Sequence, residues 1–211
     1  VLDTRTRRHE EKFSFIINKK IDVVRGLATW CLCGIKKGEA LKEIEVKILE
    51  IDVGKTEKKL EEMGAEKIFD GELINVYFDF PDGRLEKEGK ILRLRKIGEK
   101  FILTYKKFIN RDEAKVMEEN EFEIQDFELM KEIFKEIGLF PIYELKKNRT
   151  TYELNRTHFE IDKYPNIPAF LEVEGPDPDT IYELISKLGF LREEVNFYSI
   201  KEVLEYYGVL K

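Results

Sequence analysis

The sequence predicts an α+β or barrel architecture, and three observations carry that prediction. Eight segments alternate apolar and polar residues with the period of two that places successive side chains on opposite faces of a β-strand. Four others place apolar residues at helical spacing, several behind an Asp or Ser and ahead of a Gly. Turn signals such as Pro81-Asp82-Gly83 and Gly98-Glu99 separate the extended segments.

In chain order, residues 43–50 form the first strand, with Glu43, Glu45 and Lys47 on one face and Ile44, Val46 and Ile48 on the other. A helix follows over 52–63, with Val53, Leu60 and Met63 as its apolar stripe and Gly64 as its left-handed stop. A long strand over 65–80 alternates Val76, Phe78 and Phe80 against Asn75, Tyr77 and Asp79. The charged, Gly-containing stretch 84–90 reads as a mobile loop. A hairpin then joins 91–97 to 101–107, pairing Arg93 and Arg95 on one face of the first arm and Thr104 and Lys106 on one face of the second. The strand over 115–124 puts Glu119, Glu121 and Glu123 opposite Phe122 and Ile124.

Asp126 reads as the N-cap of a helix to Ile137, with Phe127, Met130, Ile133, Phe134 and Ile137 at helical spacing. Strands over 140–152, 158–163 and 169–174 carry Lys147 and Arg149, then Glu160 and Asp162, then Glu172 and Glu174. A helix over 179–188 follows Pro176 and Pro178, and Ser199 caps a last helix ending at Gly208.

With 211 residues and 42% hydrophobic composition the chain can bury a real core, as one large or two small domains. A net charge of -6 among 38% charged residues favours neither a nucleic-acid-coating nor a polyacidic protein. The heavy use of Lys and Glu is a composition associated with hot environments. Cys31 and Cys33 are too few for a closed zinc site and badly spaced for a redox pair, so they read as free thiols in a reducing compartment. The apolar run 23–35 is interrupted by Arg25 and shorter than the ~20 residues that span a bilayer. No signal-peptide pattern precedes it, and the expected location is cytoplasmic, with neither membrane nor nucleic acid as a partner. Residues 1–41 differ in pattern from the rest and are read as an N-terminal extension, either disordered or not native; residues 42–211 form the domain proper.

Polar faces of antiparallel strands ordinarily face solvent, and alternation alone does not tell inside from outside. The charges, however, are sorted by sign. Acids pair as Glu43 and Glu45, Glu121 and Glu123, Glu172 and Glu174, whereas bases pair as Arg93 and Arg95, Lys147 and Arg149. Solvated faces usually mix signs, because like charges side by side are mildly unfavourable.

Glu43-x-Glu45-x-Lys47 resembles the ExExK signature of the CYTH superfamily, the triphosphate tunnel metalloenzymes, which include class IV adenylate cyclases, thiamine triphosphatases and inorganic triphosphatases. The order of the later motifs is similar too: Leu92-Arg93-Leu94-Arg95, Leu103-Thr104-Tyr105-Lys106, the acids Glu119, Glu121 and Glu123, Lys147-x-Arg149, Asp162, and Glu172-x-Glu174. This resemblance spans residues 42–207. It implies a closed eight-stranded antiparallel β-barrel with helices packed outside, in which the charged faces line a wet tunnel and the aliphatic faces point outward.

The resemblance further implies a triphosphate substrate, namely ATP, thiamine triphosphate or inorganic triphosphate. Lys47, Arg93, Arg95, Lys106, Lys147 and Arg149 would bind its phosphates. Hard carboxylates suit Mg²⁺ or Mn²⁺, expected as two ions, with Glu43, Glu45, Asp162, Glu172 and Glu174 as the candidate ligands. Glu43, Glu45 and Lys47 are the expected catalytic set, and Glu121 and Glu123 the acids that orient the bases. Met117 stands where relatives often carry an arginine, Lys107 competes with Lys106 for the inward place, and His9 and His158 have no expected role. A monomer and a homodimer are both compatible with this reading.

The C-terminal stretch, Leu188-Gly189-Phe190 with Glu193-Glu194-Val195 and Tyr198-Ser199 to Tyr207-Gly208, resembles the class IV cyclase branch. Ala40-Leu41-Lys42 departs from the His-Phe segment that bacterial cyclases of that class tend to carry. The favoured reaction is conversion of ATP to cyclic AMP and pyrophosphate; the alternatives are triphosphate hydrolysis and a sensor that binds triphosphate or polyphosphate without turnover.

Overall fold

A computed structural model describes residues 41–210. The expected extension, with His9, Cys31, Cys33 and the apolar run 23–35, lies outside the described residues. The strands are β1 (Leu41–Ile48), β2 (Glu66–Asp79), β3 (Lys90–Ile97), β4 (Lys100–Arg111), β5 (Lys115–Ile124), β6 (Phe140–Leu154), β7 (Thr157–Lys163), β8 (Phe170–Glu174) and the two-residue β9 (Val195–Asn196). The helices are α1 (Val53–Glu62), α2 (Arg84–Lys87), α3 (Phe127–Glu136), α4 (Pro178–Leu188) and α5 (Ile200–Tyr206).

All strand pairs are antiparallel, in the order β5-β4-β3-β2-β6-β7-β8-β1, and β1 pairs back onto β5. That last pairing closes an eight-stranded barrel and leaves no open edge among those eight. Leu41 to Glu45 face β5, and the remainder of β1 is covered on that side by β9, which meets Lys47 and Ile48.

The aliphatic faces point outward. Val46 and Ile48 of β1 are buried with Leu60 of α1 and Ile181, Ile185 and Leu188 of α4. On the other side of the barrel Val76, Phe78 and Leu94 are buried against Phe134 of α3. Each such fully buried side chain contributes on the order of 1.5–3 kcal/mol. Helices therefore cover the sheet where the period-two pattern is apolar, and the charged faces turn into the lumen.

Local signals start and stop these helices. Asp52, Asp126 and Asp177 accept the backbone N–H of Lys55, Leu129 and Thr180 at 3.0, 2.9 and 2.8 Å, the N-cap bond that satisfies an orphan donor. Gly189 ends α4 at φ 85°, a left-handed conformation that a side chain would strain.

The expected mobile loop at 84–90 contains α2 instead. Its cap comes from a distance: Asp79, at the end of β2, accepts from the backbone N–H of Leu85 at 2.9 Å and of Glu86 at 3.0 Å. Gly83 occupies the N-cap position and offers no side chain, so nothing in the local sequence announces the helix.

Helix α5 lies across one end of the barrel. Val203 is fully buried in a cluster with Tyr164 and Phe170, and Leu145 packs against it. Among the described residues no helix is long and apolar enough to cross a membrane.

Candidate active site

Closing the barrel brings the sorted charges face to face. Glu43, Glu45, Lys47, Arg93, Lys106, Lys147, Arg149 and Asp162 are each 8% exposed or less. Charge buried to this degree must be paired and hydrogen-bonded or it would cost several kcal/mol per ion.

On β1, Lys47 stands opposite Glu172 of β8; its Nζ lies 2.7 Å from Glu172 Oε2 and 2.9 Å from Glu45 Oε1. Glu45 also stands opposite Lys115, which donates to the same Oε1 at 2.6 Å. Lys106 of β4 reaches past β5 to Glu43 of β1 and lies 3.3 Å from Glu119. On β6 and β7, Arg149 grips Asp162 through Nε and Nη2, both at 2.6 Å, and Lys147 bonds the same carboxylate at 2.6 Å. Arg149 also contacts Glu160 and lies 3.5 Å from Glu172. On the opposite wall Arg93 donates to Thr104 Oγ1 at 3.1 Å, and that hydroxyl donates to Glu121 at 2.8 Å.

The balance of charge is uneven along the lumen. Burial raises the proton affinity of Glu45, and Glu172 adds to this, yet Lys115, Lys47 and Lys106 together hold it down at about 2. Glu43 is raised by burial and by Glu45 despite Lys106, and Glu174 is raised well above the carboxylate range by burial, Glu43 and Glu160. Burial, and then the neighbouring Arg93 and Arg149, lower Arg95, against the opposing pull of Glu121 and Glu160. One part of the tunnel therefore has excess negative charge and another excess positive charge.

Two buried atoms express the same imbalance: Glu43 Oε2 and Arg93 Nε have no hydrogen-bond partner. The first is an acceptor suited to a cation, the second a donor suited to an anion.

The family model for the CYTH domain matches residues 41–207. The chain belongs to the CYTH domain family. A Methanocaldococcus jannaschii protein named "putative adenylate cyclase" is 30% identical over 132 residues, 63% of this chain and 75% of that protein. A solved Pyrococcus horikoshii structure is 30% identical, with a TM-score of 0.66, and covers 80% of this chain and 99% of its own. A Vibrio parahaemolyticus structure, also named "putative adenylate cyclase", has a TM-score of 0.69 over 79% of this chain and 99% of its own; at 17% identity it speaks to the fold.

In this CYTH tunnel most of the expected residues meet, and some take a different place. Glu123 is exposed near the far end of β5, opposite Ile102, and makes no ion pair among the described residues. Glu121, expected to orient a base alongside it, lies 3.6 Å from Arg93, and Glu119 lies 3.3 Å from Lys106. Lys106 turns inward and Lys107 is exposed, as alternation with Thr104 requires. Met117 is inside and opposite Glu43, an apolar side chain at that level of the wall. His158 sits near the rim, 3.8 Å from Glu153.

Three further residues of the tunnel, Lys115, Glu160 and Asn75, had no role expected from the sequence. Lys115 shares the parity of Glu119 and Glu121, but its position beside the Asp112-Glu113-Ala114 turn hid it. Asn75 is neutral and so invisible to charge sorting, yet it is 1% exposed and accepts from Arg95 Nε at 2.9 Å.

The family implies use of a divalent metal, and the donors present can be tested for it. Among the described residues no three Asp, Glu, His or Cys side chains already converge as a metal cage. Of the other expected metal ligands, Asp162 gives both oxygens to Arg149 and Lys147, and Glu172 lies within ion-pair distance of Lys47 and Arg149. Glu43 keeps one oxygen unpartnered, both lysine bonds to Glu45 converge on its Oε1, and Glu174, opposite Glu45, has no ion-pair partner among the described residues. These are hard carboxylate oxygens of the kind that suits a divalent cation.

Proposed function

We propose that the tunnel binds the triphosphate of ATP along Arg93, Arg95, Lys106, Lys147 and Arg149, and that with Mg²⁺ or Mn²⁺ at Glu43, Glu45 and Glu174 it forms cyclic AMP and pyrophosphate. The observation that carries this reading is Arg95 together with Arg93 Nε: buried or half-buried guanidinium donors, one without any carboxylate partner and one without any hydrogen-bond partner, on the basic wall of a closed barrel. Planar forks of this kind match phosphate oxygens from fixed directions.

The chain's own groups divide the work. Arg93 is aimed by Thr104 and Glu121, and Arg149 and Lys147 by Asp162, so several bases are held in place before substrate arrives. Lys47 is kept charged by Glu45 and Glu172 despite its burial, and supplies a fixed positive charge at the boundary between the basic and acidic walls. The barrel wall excludes bulk water, which strengthens each of these interactions. A divalent ion, when bound, withdraws charge from phosphate oxygens and lowers the pKa of a hydroxyl or water beside it.

Hydrolysis of ATP, thiamine triphosphate or inorganic triphosphate uses the same walls, but water attacks the terminal phosphorus and releases orthophosphate, whereas in cyclisation the ribose 3′-hydroxyl attacks the α-phosphorus and pyrophosphate leaves. The test is incubation of the purified protein with Mg²⁺ or Mn²⁺ and each of these three substrates, followed by product identification. Cyclic AMP with pyrophosphate supports the cyclase, orthophosphate replaces it with the hydrolase, and tight binding without product replaces both with a sensor.

A further inference from the structure

Three lysines reach the acidic wall of the tunnel, and two of them are each held by a pair of carboxylates. Lys47 lies 2.7 Å from Glu172 and 2.9 Å from Glu45, and Lys106 bonds Glu43 and lies 3.3 Å from Glu119. Lys115 differs. Its Nζ lies 2.6 Å from Glu45 Oε1, and no second carboxylate comes within ion-pairing distance of it among the described residues.

Lys115 stands directly opposite Glu45 where β5 closes onto β1, and it is 7% exposed. An ammonium taken that far out of water loses strong hydration, and this single ion pair is what offsets the loss. On the other side of Glu45, across β8, stands Glu174, which has no ion-pair partner among the described residues. Two residues before Glu45, Glu43 faces Met117 on β5 and keeps its buried Oε2 without a hydrogen-bond partner. Glu45 is thus flanked by an ammonium on one strand and an unpaired carboxylate on the other.

A divalent ion held by Glu43, Glu45 and Glu174 would meet Lys115 at their common carboxylate. Glu45 Oε1 already accepts from two ammonium groups, and in a site screened from water a further positive charge beside them is repelled strongly. Lys47 keeps Glu172 if it lets go of Glu45, whereas nothing else fixes the flexible stem of Lys115. Exchange of Lys115 for the ion replaces one positive charge by two beside Glu174, which has no counter-charge, and Glu43, which shares Lys106 with Glu119.

We propose that Lys115 is a built-in competitor of the divalent cation: its ammonium neutralises Glu45 in the metal-free tunnel and leaves that carboxylate when the ion binds, so this one residue sets how tightly the acidic wall holds metal. This rests on that wall binding a divalent ion and adds the group that opposes it.

The experiment is titration calorimetry with Mn²⁺ alone, without triphosphate or turnover, on the unmodified protein, Lys115→Gln and Lys115→Arg. Lys115→Gln should bind Mn²⁺ about tenfold or more tightly than the unmodified protein, while Lys115→Arg, which keeps the charge, should gain less than about twofold. Glu45 retains Lys47 in both variants, so the fold should persist, and Mn²⁺ should raise the melting temperature of Lys115→Gln by more than that of the unmodified protein. A second measurement needs no neutral variant: with nitrogen-15-labelled lysine, the Nζ resonance of Lys115, assigned by its absence from Lys115→Arg, should shift on saturation with Mg²⁺. Equal or weaker Mn²⁺ binding by Lys115→Gln, equal gains in both variants, or an unmoved Lys115 resonance at saturating Mg²⁺ overturns the competition while leaving metal binding by the unmodified protein as its own result. Failure of both the unmodified protein and Lys115→Gln to bind Mn²⁺ overturns the metal reading of the wall, and the role of Lys115 falls with it.

Discussion

Arg95 stands directly opposite Asn75 across β3 and β2, and its Nε donates to Asn75 Oδ1 at 2.9 Å, while no carboxylate comes within ion-pairing distance of its guanidinium among the described residues. Every other base named in the tunnel has an acidic partner within 4 Å. A neutral amide fixes the direction of Arg95 without neutralising it. The guanidinium thus keeps its full charge and most of its five donors for an anion.

Arg95→Ala should therefore weaken tripolyphosphate binding by about 10- to 100-fold, the loss of one or two charge-assisted hydrogen bonds. Thermal stability should hold or rise, because the change removes a buried charge that Arg93 and Arg149 disfavour. Titration calorimetry and melting of the same preparation give the two readouts. Unchanged affinity would remove Arg95 from the phosphate wall.

The two glutamates of the opening motif should behave differently from each other. Glu43→Gln removes a carboxylate already raised by burial and by its acidic neighbours, and Lys106 retains Glu119, so the melting temperature should change little while turnover is lost. Glu45→Gln strips a common counter-charge from Lys47 and Lys115 and should cost several kcal/mol, as breaking one side of a buried pair does. Product assays beside denaturant unfolding separate the cases, and equal stability loss in both variants would contradict the uneven charge balance along the lumen.

Asp162→Asn should be the most damaging single change on the β6–β7 wall. It leaves Arg149 and Lys147 buried beside each other with their shared carboxylate gone, and on the order of 3–5 kcal/mol is expected from such a loss. A variant of normal stability would show that Glu160 and Glu172 suffice to hold both bases.

Much of this arrangement was legible in the chain itself, because a barrel strand displays its two faces as alternate residues. Glu43, Glu45 and Lys47 had to share a face, as did Lys147 and Arg149, and the sign of the charge on successive faces marked those that answer each other. Which face turns inward was not legible from period two; it needed the family resemblance, and the burial of Val46 and Ile48 under α1 and α4 now accounts for it physically. What stayed hidden depended on partners distant in sequence. The helix at Arg84 is capped by Asp79 from an earlier strand, Lys115 meets Glu45 only because β5 closes onto β1, and Glu123, though it shares the parity of Glu121, stands opposite Ile102 with no base to pair with.

The attachment of α5 to the barrel should depend on acid in a predictable direction. Arg111, at the end of β4, holds Glu202 with two parallel bonds of 2.7 and 3.0 Å, and the backbone N–H of Ser199 donates to the same carboxylate at 2.6 Å. Burial opposes ionisation of Glu202, but Arg111 and Ser199 prevail and bring its pKa from 4.5 down to about 2. Because the folded value is the lower one, the unfolded chain takes up the proton first. The stabilisation is therefore fully present above about pH 4.5 and is lost as pH falls towards 2. Glu202→Gln keeps the capping geometry at Ser199 and removes only the charge. Since the pair is more than a third exposed, the difference between the unmodified protein and this variant should be about 1 kcal/mol or less at neutral pH. In denaturant unfolding measured from pH 7 to pH 3, that difference should hold steady down to about pH 4.5 and then shrink. A difference that does not vary with pH would mean that Glu202 holds α5 through its capping bonds alone, and Arg111→Ala would then leave the stability of the protein unaltered.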